Sequence, residues 1–298
     1  GVGGRNPADL CTPLGGQCTG WLVVHGQERR LAAEIGSNHS MNVFVFDIET
    51  VPDVAGGRQL YQLDDLDDKN IGRAMFHKRA AESGGSEFLR HHLHRIVAIS
   101  VVLKSGDSFK VWSLGEPDAP EEELIRRFFD GIERYTPTLV SWNGSGFDLP
   151  VIHYRSLLHG VAAPRYWDTG GEDRDFKWNN YISRYHERHT DVMDVLAAYQ
   201  PRATARLDEI ATLCGFPGKM GMDGSKVWDA FQNGDIEAVR NYCETDVLNT
   251  YLVFLRFELI RGRLTADGYD KACRQVRESL QQEGKPHFEE FLRNWKAG

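Results

Sequence analysis

The chain has 298 residues, 41% of them hydrophobic and 26% charged, and its 35 Lys and Arg against 43 Asp and Glu give a net charge of −8. These proportions exclude a disordered or fibrous chain, and no apolar stretch reaches the roughly 18–20 residues of a membrane-spanning helix. The acidic balance excludes passive wrapping of nucleic acid by bulk charge, but not an enzyme whose carboxylates hold metal beside a phosphate. At about 150 residues per domain the length allows one large domain or two small ones. Cys11, Cys18, Cys214, Cys243 and Cys273 form no Cys-x-x-Cys pair and leave one over. A disulfide framework is therefore not expected, and a reducing, cytoplasmic location is.

Residues 1–40 are rich in Gly, Pro and small polar residues and carry no sustained period. The short apolar Trp21-Leu-Val-Val24 has no basic lead-in and is too brief for a signal-peptide core. A strand-like run starts directly after Met41, so 1–40 reads as an upstream extension, poorly ordered and dispensable, or alternatively as a flexible arm.

From there Val43–Ile48 is an apolar run of strand length. Arg95–Leu103 and Ser108–Leu114 flank Lys-Ser-Gly-Asp, a hairpin signal. Pro120 opens a helix with acids in its first turn, where the helix dipole favours them. Leu124, Ile125, Phe128, Phe129 and Ile132 give that helix one apolar face. Thr138–Asn143 is a further strand, and Asp148–His159 a helix stopped by Gly160. The stretch 163–188 is polar, aromatic-rich and aperiodic, hence a long loop. Helical patterns return at 190–199, 206–214 and 235–261, and 263–298 reads as a short charged helical tail. Strands alternating with helices predict an α/β fold, a mixed sheet covered on both faces, in one domain over 41–298.

Carboxylates fall at three element ends. Asp47 and Glu49 close the first strand at i and i+2, on one face. Two buried carboxylates side by side repel and are costly to desolvate unless a cation neutralises them, and hard divalent ions prefer such oxygen ligands. A strand running out into solvent would carry the same acids at no cost. Asn143-Gly-Ser-Gly-Phe147-Asp148 marks a strand-to-helix junction whose glycines allow tight turning. Asp148 is placed there either for ligand chemistry or as an N-cap. Tyr242 and Asp246, at i and i+4, share a helix face. Singly, the last two motifs fit ordinary structural roles.

As a set, Phe46-Asp-Ile-Glu-Thr50, Asn143-Gly-x-x-Phe-Asp148 and Tyr242-x-x-x-Asp246 resemble the three exonuclease motifs of the DEDD superfamily, in its tyrosine-bearing branch. The resemblance is nearest to the stand-alone 3′–5′ exonucleases related to the proofreading domain of family B DNA polymerases, and it covers essentially 41–262. It implies a ribonuclease H-like fold and two divalent cations, Mg²⁺ or Mn²⁺. By this similarity Asp47, Glu49 and Asp246 would hold the ion that activates water. Asp47 would bridge to a second ion, with Asp148 acting through its water shell, so that attacking and leaving oxygens are both stabilised. Tyr242 would orient the water, since a phenol with a pKa near 10 is a poor general base at neutral pH. Asn143 and Phe147 would shape the strand pocket, and Ile48 and Thr50 would contact the terminal nucleotide. The implied product is a nucleoside 5′-monophosphate from the 3′ end of a single strand, with DNA favoured over RNA only by the family.

Competing assignments exist within the same residues. His189-Thr-Asp-Val-Met-Asp194 has the His-x4-Asp spacing of the histidine branch, which would make His189 the base. The tyrosine assignment is preferred because the 235–261 helix matches over many residues. Asp191 would assist near the site or cap a helix. Asp47-x-Glu49-Thr50 is also similar to the opening motif of the haloacid-dehalogenase phosphatases. That motif needs Asp where Glu49 stands, and it leaves Asp148, Tyr242 and Asp246 unexplained. An exoribonuclease, or a non-catalytic nucleic-acid-binding module on the same fold, is the remaining alternative. Segment 69–95, with six cations against Glu82 and Glu87, either grips phosphates or is a solvated helix. Rings between Tyr166 and Tyr185 either stack bases or anchor the loop, and Lys219 and Lys226 are candidate phosphate contacts.

Overall fold

A computed structural model describes residues 42–296; the expected N-terminal extension lies outside them. Among these residues the sheet has five strands: β1 (Val43–Pro52), β2 (His94–Ser105), β3 (Ser108–Ser113), β4 (Thr138–Ser141) and β5 (His189–Asp191), in the order β3-β2-β1-β4-β5. β1, β2 and β3 are antiparallel neighbours, and β4 and β5 are added parallel to β1. This is the mixed α/β sheet the sequence predicts, with the ribonuclease H-like order of elements.

Strand β1 explains the layering. Phe44, Phe46 and Ile48 pack into one core with α3 (Glu121–Tyr135) and α4 (Asp148–His159). Val45 packs into another with α9 (Ile236–Ile260). The period-2 alternation therefore sends Asp47 and Glu49 to the α9 side. Helix α9 is buried almost all round from Cys243 to Phe257, as expected of a helix sandwiched between layers. Its outer side is covered by α10 (Ala266–Glu283) and α11 (Pro286–Asn294), through the fully buried Val276, Leu280, Phe288 and Phe291. The expected charged tail is thus two helices whose apolar stripes complete this core.

Two stretches depart from the sequence reading. His189 belongs to β5, and the helix expected over 190–199 is the single short α6 (Val192–Leu196). Residues 53–90, for which periodicity assigned no element, form α1 (Val54–Tyr61) and α2 (Asp68–Ser83), capped by Asp53 and Asp67. The long loop holds only the short α5 (Pro164–Trp167) and one 3₁₀ turn. Its Tyr166, Phe176 and Tyr181 are core residues, whereas Trp178 and Tyr185 are exposed. Helices α7 (Leu207–Leu213) and α8 (Val227–Gln232) precede α9. Among the described residues no helix is long and apolar enough to cross a membrane.

Candidate active site

The site is built at the point where β1 leaves the sheet's parallel half. Between Glu49 and Thr50 the pairing with β2 slips by one residue, a bulge of the kind that re-aims side chains. Asp47 and Glu49 lie on one face, as their spacing predicts, and an oxygen of each lies within 4.8 Å of the other's and of the Cys243 sulfur. The Cys243 thiol, from α9, lies 3.5 Å from Asp47 Oδ2.

The β4–α4 turn brings the second carboxylate. Asn143 has φ of 65°, which Asn tolerates better than most residues. A Cβ on Gly144 would collide with the Ser141 hydroxyl. Asp191 pins this turn: its two oxygens accept the backbone N–H groups of Asn143 and Ser145 at 2.9 and 2.8 Å, and it also caps α6 through Asp194 N. Asp191 thus positions the turn by bonds to main chain. Asp148 is the first residue of α4, with Phe147 at the cap position. Its Oδ1 accepts the Ile48 N–H at 3.1 Å, across 100 residues of sequence.

Helix α9 supplies the rest. Tyr242 and Asp246 sit one turn apart, near enough for the carboxylate to raise the phenol's pKa and for the phenol to lower the carboxylate's. Asp47, Asp148, Tyr242 and Asp246 all line one open cleft of about 550 Å³, together with Ile48, Asn143 and Phe147. Glu49 and Thr50 open instead into an adjoining groove that shares Ile48 and Phe147 with the cleft. The Thr50 hydroxyl bonds His94 Nδ1 at 2.8 Å while His94 Nε2 faces the Leu89 carbonyl at 3.2 Å. A carbonyl only accepts, so Nε2 carries the proton and Thr50 is the donor. Burial pushes His94 down to about 4 and keeps the ring neutral.

The electrostatics are those of acids without a counter-ion. Burial, then Asp148 and Asp246, raise Asp47 well above the carboxylate range. Burial followed by Asp47, Asp246 and Asp148 does the same to Glu49. Burial lifts Asp148 to about 7 and Asp246 to about 6. Lys219 lines the cleft and acts weakly on Asp246, but it pairs with Asp223 at 3.3 Å. Lys226 turns to Asp223 and the Gly221 carbonyl and is not part of the cleft lining. Burial, then Asp246 and Glu49, drive Tyr242 far above the ordinary phenol range, and the Cys243 thiol rises for the same first reason. Four crowded carboxylates, hard oxygen donors with no protein cation bonded to them among the described residues, fit divalent metal ions.

His189 is placed elsewhere. Its Nε2 bonds Ser141 Oγ at 2.8 Å and its ring lies 6.0 Å from that of Phe46, on the face opposite Asp47. Burial holds it at about 4. Of the pair's two members, only Tyr242 faces the carboxylates. Sequence reasoning missed Trp142 and Arg206 as cleft residues and Cys243 as the buried thiol beside Asp47 and Glu49. Cys243 was detectable as the neighbour of Tyr242 on the inward side of a helix; nothing local marked the other two.

The model of a family described as predicted 3′–5′ exonucleases related to the exonuclease domain of PolB matches residues 86–295. The chain belongs to this family. The matched span contains Asn143, Phe147, Asp148, Tyr242 and Asp246 but begins after Asp47 and Glu49. A 37-residue stretch is 57% identical to DNA polymerase 1 of Sulfurisphaera ohwakuensis, covering 12% of this chain and 4% of that polymerase. The exonuclease family implies a nucleic acid substrate and hydrolase chemistry.

Proposed function

We propose that the chain is a metal-dependent 3′–5′ exonuclease of the tyrosine-bearing DEDD type, releasing nucleoside 5′-monophosphates from the 3′ end of single-stranded DNA. The observation that carries this is the convergence of Asp47, Glu49, Asp148 and Asp246, buried or half-buried and with no ion pair to a protein cation among the described residues, Asp47, Asp148 and Asp246 beside Tyr242 in an open cleft and Glu49 in the groove that adjoins it. These carboxylates would hold two divalent cations, Mg²⁺ or Mn²⁺, whose chemistry is to acidify the attacking water and neutralise the developing phosphoryl charge.

The chain's own groups supply geometry. Asp148 is fixed to β1 by the Ile48 N–H, so its oxygens hold register with Asp47 and Glu49. Tyr242 stays a phenol at every physiological pH, so it orients the attacking water by hydrogen bonding, one helical turn from Asp246. Phe147, in edge contact with His94 at 5.1 Å and tilted against Phe88 at 5.4 Å, wedges against the terminal base. Ile48, Thr50 and Asn143 border the terminal nucleotide. The test is digestion of a 5′-labelled single-stranded DNA and the matching RNA with Mg²⁺ or Mn²⁺, with EDTA and Asp148→Ala as controls. A metal-dependent ladder shortening from the 3′ end of DNA is expected. Shortening of RNA alone makes the enzyme an exoribonuclease, and no ladder on either strand makes it a binding module.

A further inference from the structure

Beyond the carboxylates, Glu49 and Thr50 open into a second, larger groove of about 1170 Å³ that shares Ile48, Phe147, Arg206 and Gly224 with the catalytic cleft. One wall is helix α2 and the other is α8 with the loop before it. Helix α2 precedes residue 86, where the family match begins, so the comparison assigns this wall no role. The two walls touch directly: a Cβ on Gly72 would come within 2.9 Å of the Trp228 ring.

The basic segment divides sharply here. Lys78 and Arg90 pair with Glu82, and Arg79 donates to the Phe88 carbonyl. Lys69 and Arg73 line the groove and have no carboxylate partner among the described residues. They are four apart on α2, hence roughly 6 Å from one another, about the spacing of successive phosphates along an extended strand. Glu87 and Asp229 also border the groove, so the positive charge is a row along α2 and not a uniform coat. Two rings complete the lining. Phe88 is 57% exposed yet held by Phe147 and His94. Trp228 is stacked on Phe231 at 6.2 Å.

We propose that this groove carries the nucleotides on the 5′ side of the scissile bond, with Lys69 and Arg73 on successive phosphates and the bases stacked on Phe88 and Trp228. The inference rests on the exonuclease reading for its occupant. Continuity with the carboxylate cleft, a row of unpaired cations and two held rings are the features an unpaired strand requires, since stacking is indifferent to sequence while charge follows the backbone. A duplex has no unstacked bases for Phe88 or Trp228, so the groove selects single strands.

Fluorescence anisotropy with a 5′-labelled single-stranded oligodeoxynucleotide of about ten nucleotides, in EDTA over a salt series, tests it. Lys69→Ala/Arg73→Ala should weaken binding about tenfold at low salt and flatten the slope of log K against log salt by about 1.4, two phosphates' worth for a single strand. Phe88→Ala should weaken binding by a similar factor and leave the slope as in wild type. Lys78→Ala, outside the groove, is the control for surface charge. Binding and slope unchanged in the double variant, or no saturable binding by wild type, would overturn the proposal. Because this measurement contains no metal, it reads the groove even if wild type and Asp148→Ala fail alike to shorten strands, the outcome that would sink the exonuclease reading.

Discussion

Two groups of buried acids flank the far end of β1, and they differ in one respect. Asp53 and Glu121 are buried around Arg155, whose guanidinium reaches Asp53 Oδ2 and Glu121 Oε2 at 2.6 Å each. His159 Nε2 shares Glu121 Oε2 with the guanidinium, and the Ile96 N–H donates to Oε1. Every acid in that group meets a cation, and the group ties α1, α3, α4 and β2 together. Glu244 repeats the pattern on α9: burial pushes it up, but His287, Lys285 and Ser113 together bring it below its ordinary value. Six residues before Asp53, Asp47 starts a group with no such partner among the described residues, and its members are driven upward. Buried charge that the chain neutralises is architecture. Buried charge that it leaves unpaired is, on the proposed reading, where metal is held and chemistry is done.

The two groups should differ most in turnover. Asp148→Ala or Asp47→Ala should lower kcat at least about a thousandfold, the scale lost when one member of a catalytic unit is removed, measured as nucleotide release from a labelled strand. Arg155→Met should act on the other axis. Stripping the cation from Asp53 and Glu121 should destabilise folding by about 3–5 kcal/mol, read by denaturant unfolding. The carboxylates of the site predict the opposite sign: Asp148→Asn should raise the melting temperature of metal-free protein while turnover disappears. If both substitutions destabilise equally, the distinction between the two groups fails.

Protonation sharpens the same contrast. Burial raises Asp148 to about 7 and Asp246 to about 6, against about 4 in an unfolded chain. The folded, metal-free protein therefore holds protons that the unfolded chain has already released. Stability from these groups is fully present below about pH 4 and is lost as pH rises through 6 and 7. In EDTA the melting temperature should fall between pH 5 and pH 8, about the range spanned by these shifts, and Mn²⁺ should flatten that fall by occupying the ionised form. Tyr242→Phe is the smaller effect, about ten- to a hundredfold in kcat with KM little changed. His189→Gln, a change in the bond to Ser141, should register in thermal stability and leave kcat near wild type.

How much of this was legible in the sequence depended on whether the signal was local. Asp47 and Glu49 could be placed on one strand face because a period of two fixes it within three residues. The Asn143–Asp148 turn declared itself through its glycines, and Tyr242 with Asp246 through helical spacing. Arg155 could not be read as a partner of Asp53, since 102 residues separate them and neither sits in a motif. Glu121 looked like a first-turn acid serving the helix dipole, and it is a buried ligand of Arg155. Helix α2 entered only as the alternative of a solvated helix within 69–95, because its apolar stripe is only Ile71 and Met75, too thin for periodicity to register against so many charges. A helix was expected over 190–199 because Val192, Val195 and Leu196 stand in helical spacing; the three residues of edge strand, His189–Asp191, left no period of their own.

If the four carboxylates of the site are to be neutralised by cations from outside the chain, metal-free protein must bind such ions there. Calorimetric titration of Mn²⁺ into metal-free wild type and into Asp47→Asn/Asp246→Asn tests it most directly. Saturable binding by wild type, with proton release that grows as the pH is lowered from 8 to 6, about the interval over which these carboxyls titrate, and loss of that binding in the double variant are predicted. Saturable binding of equal strength in both proteins, or none in wild type, would contradict the account.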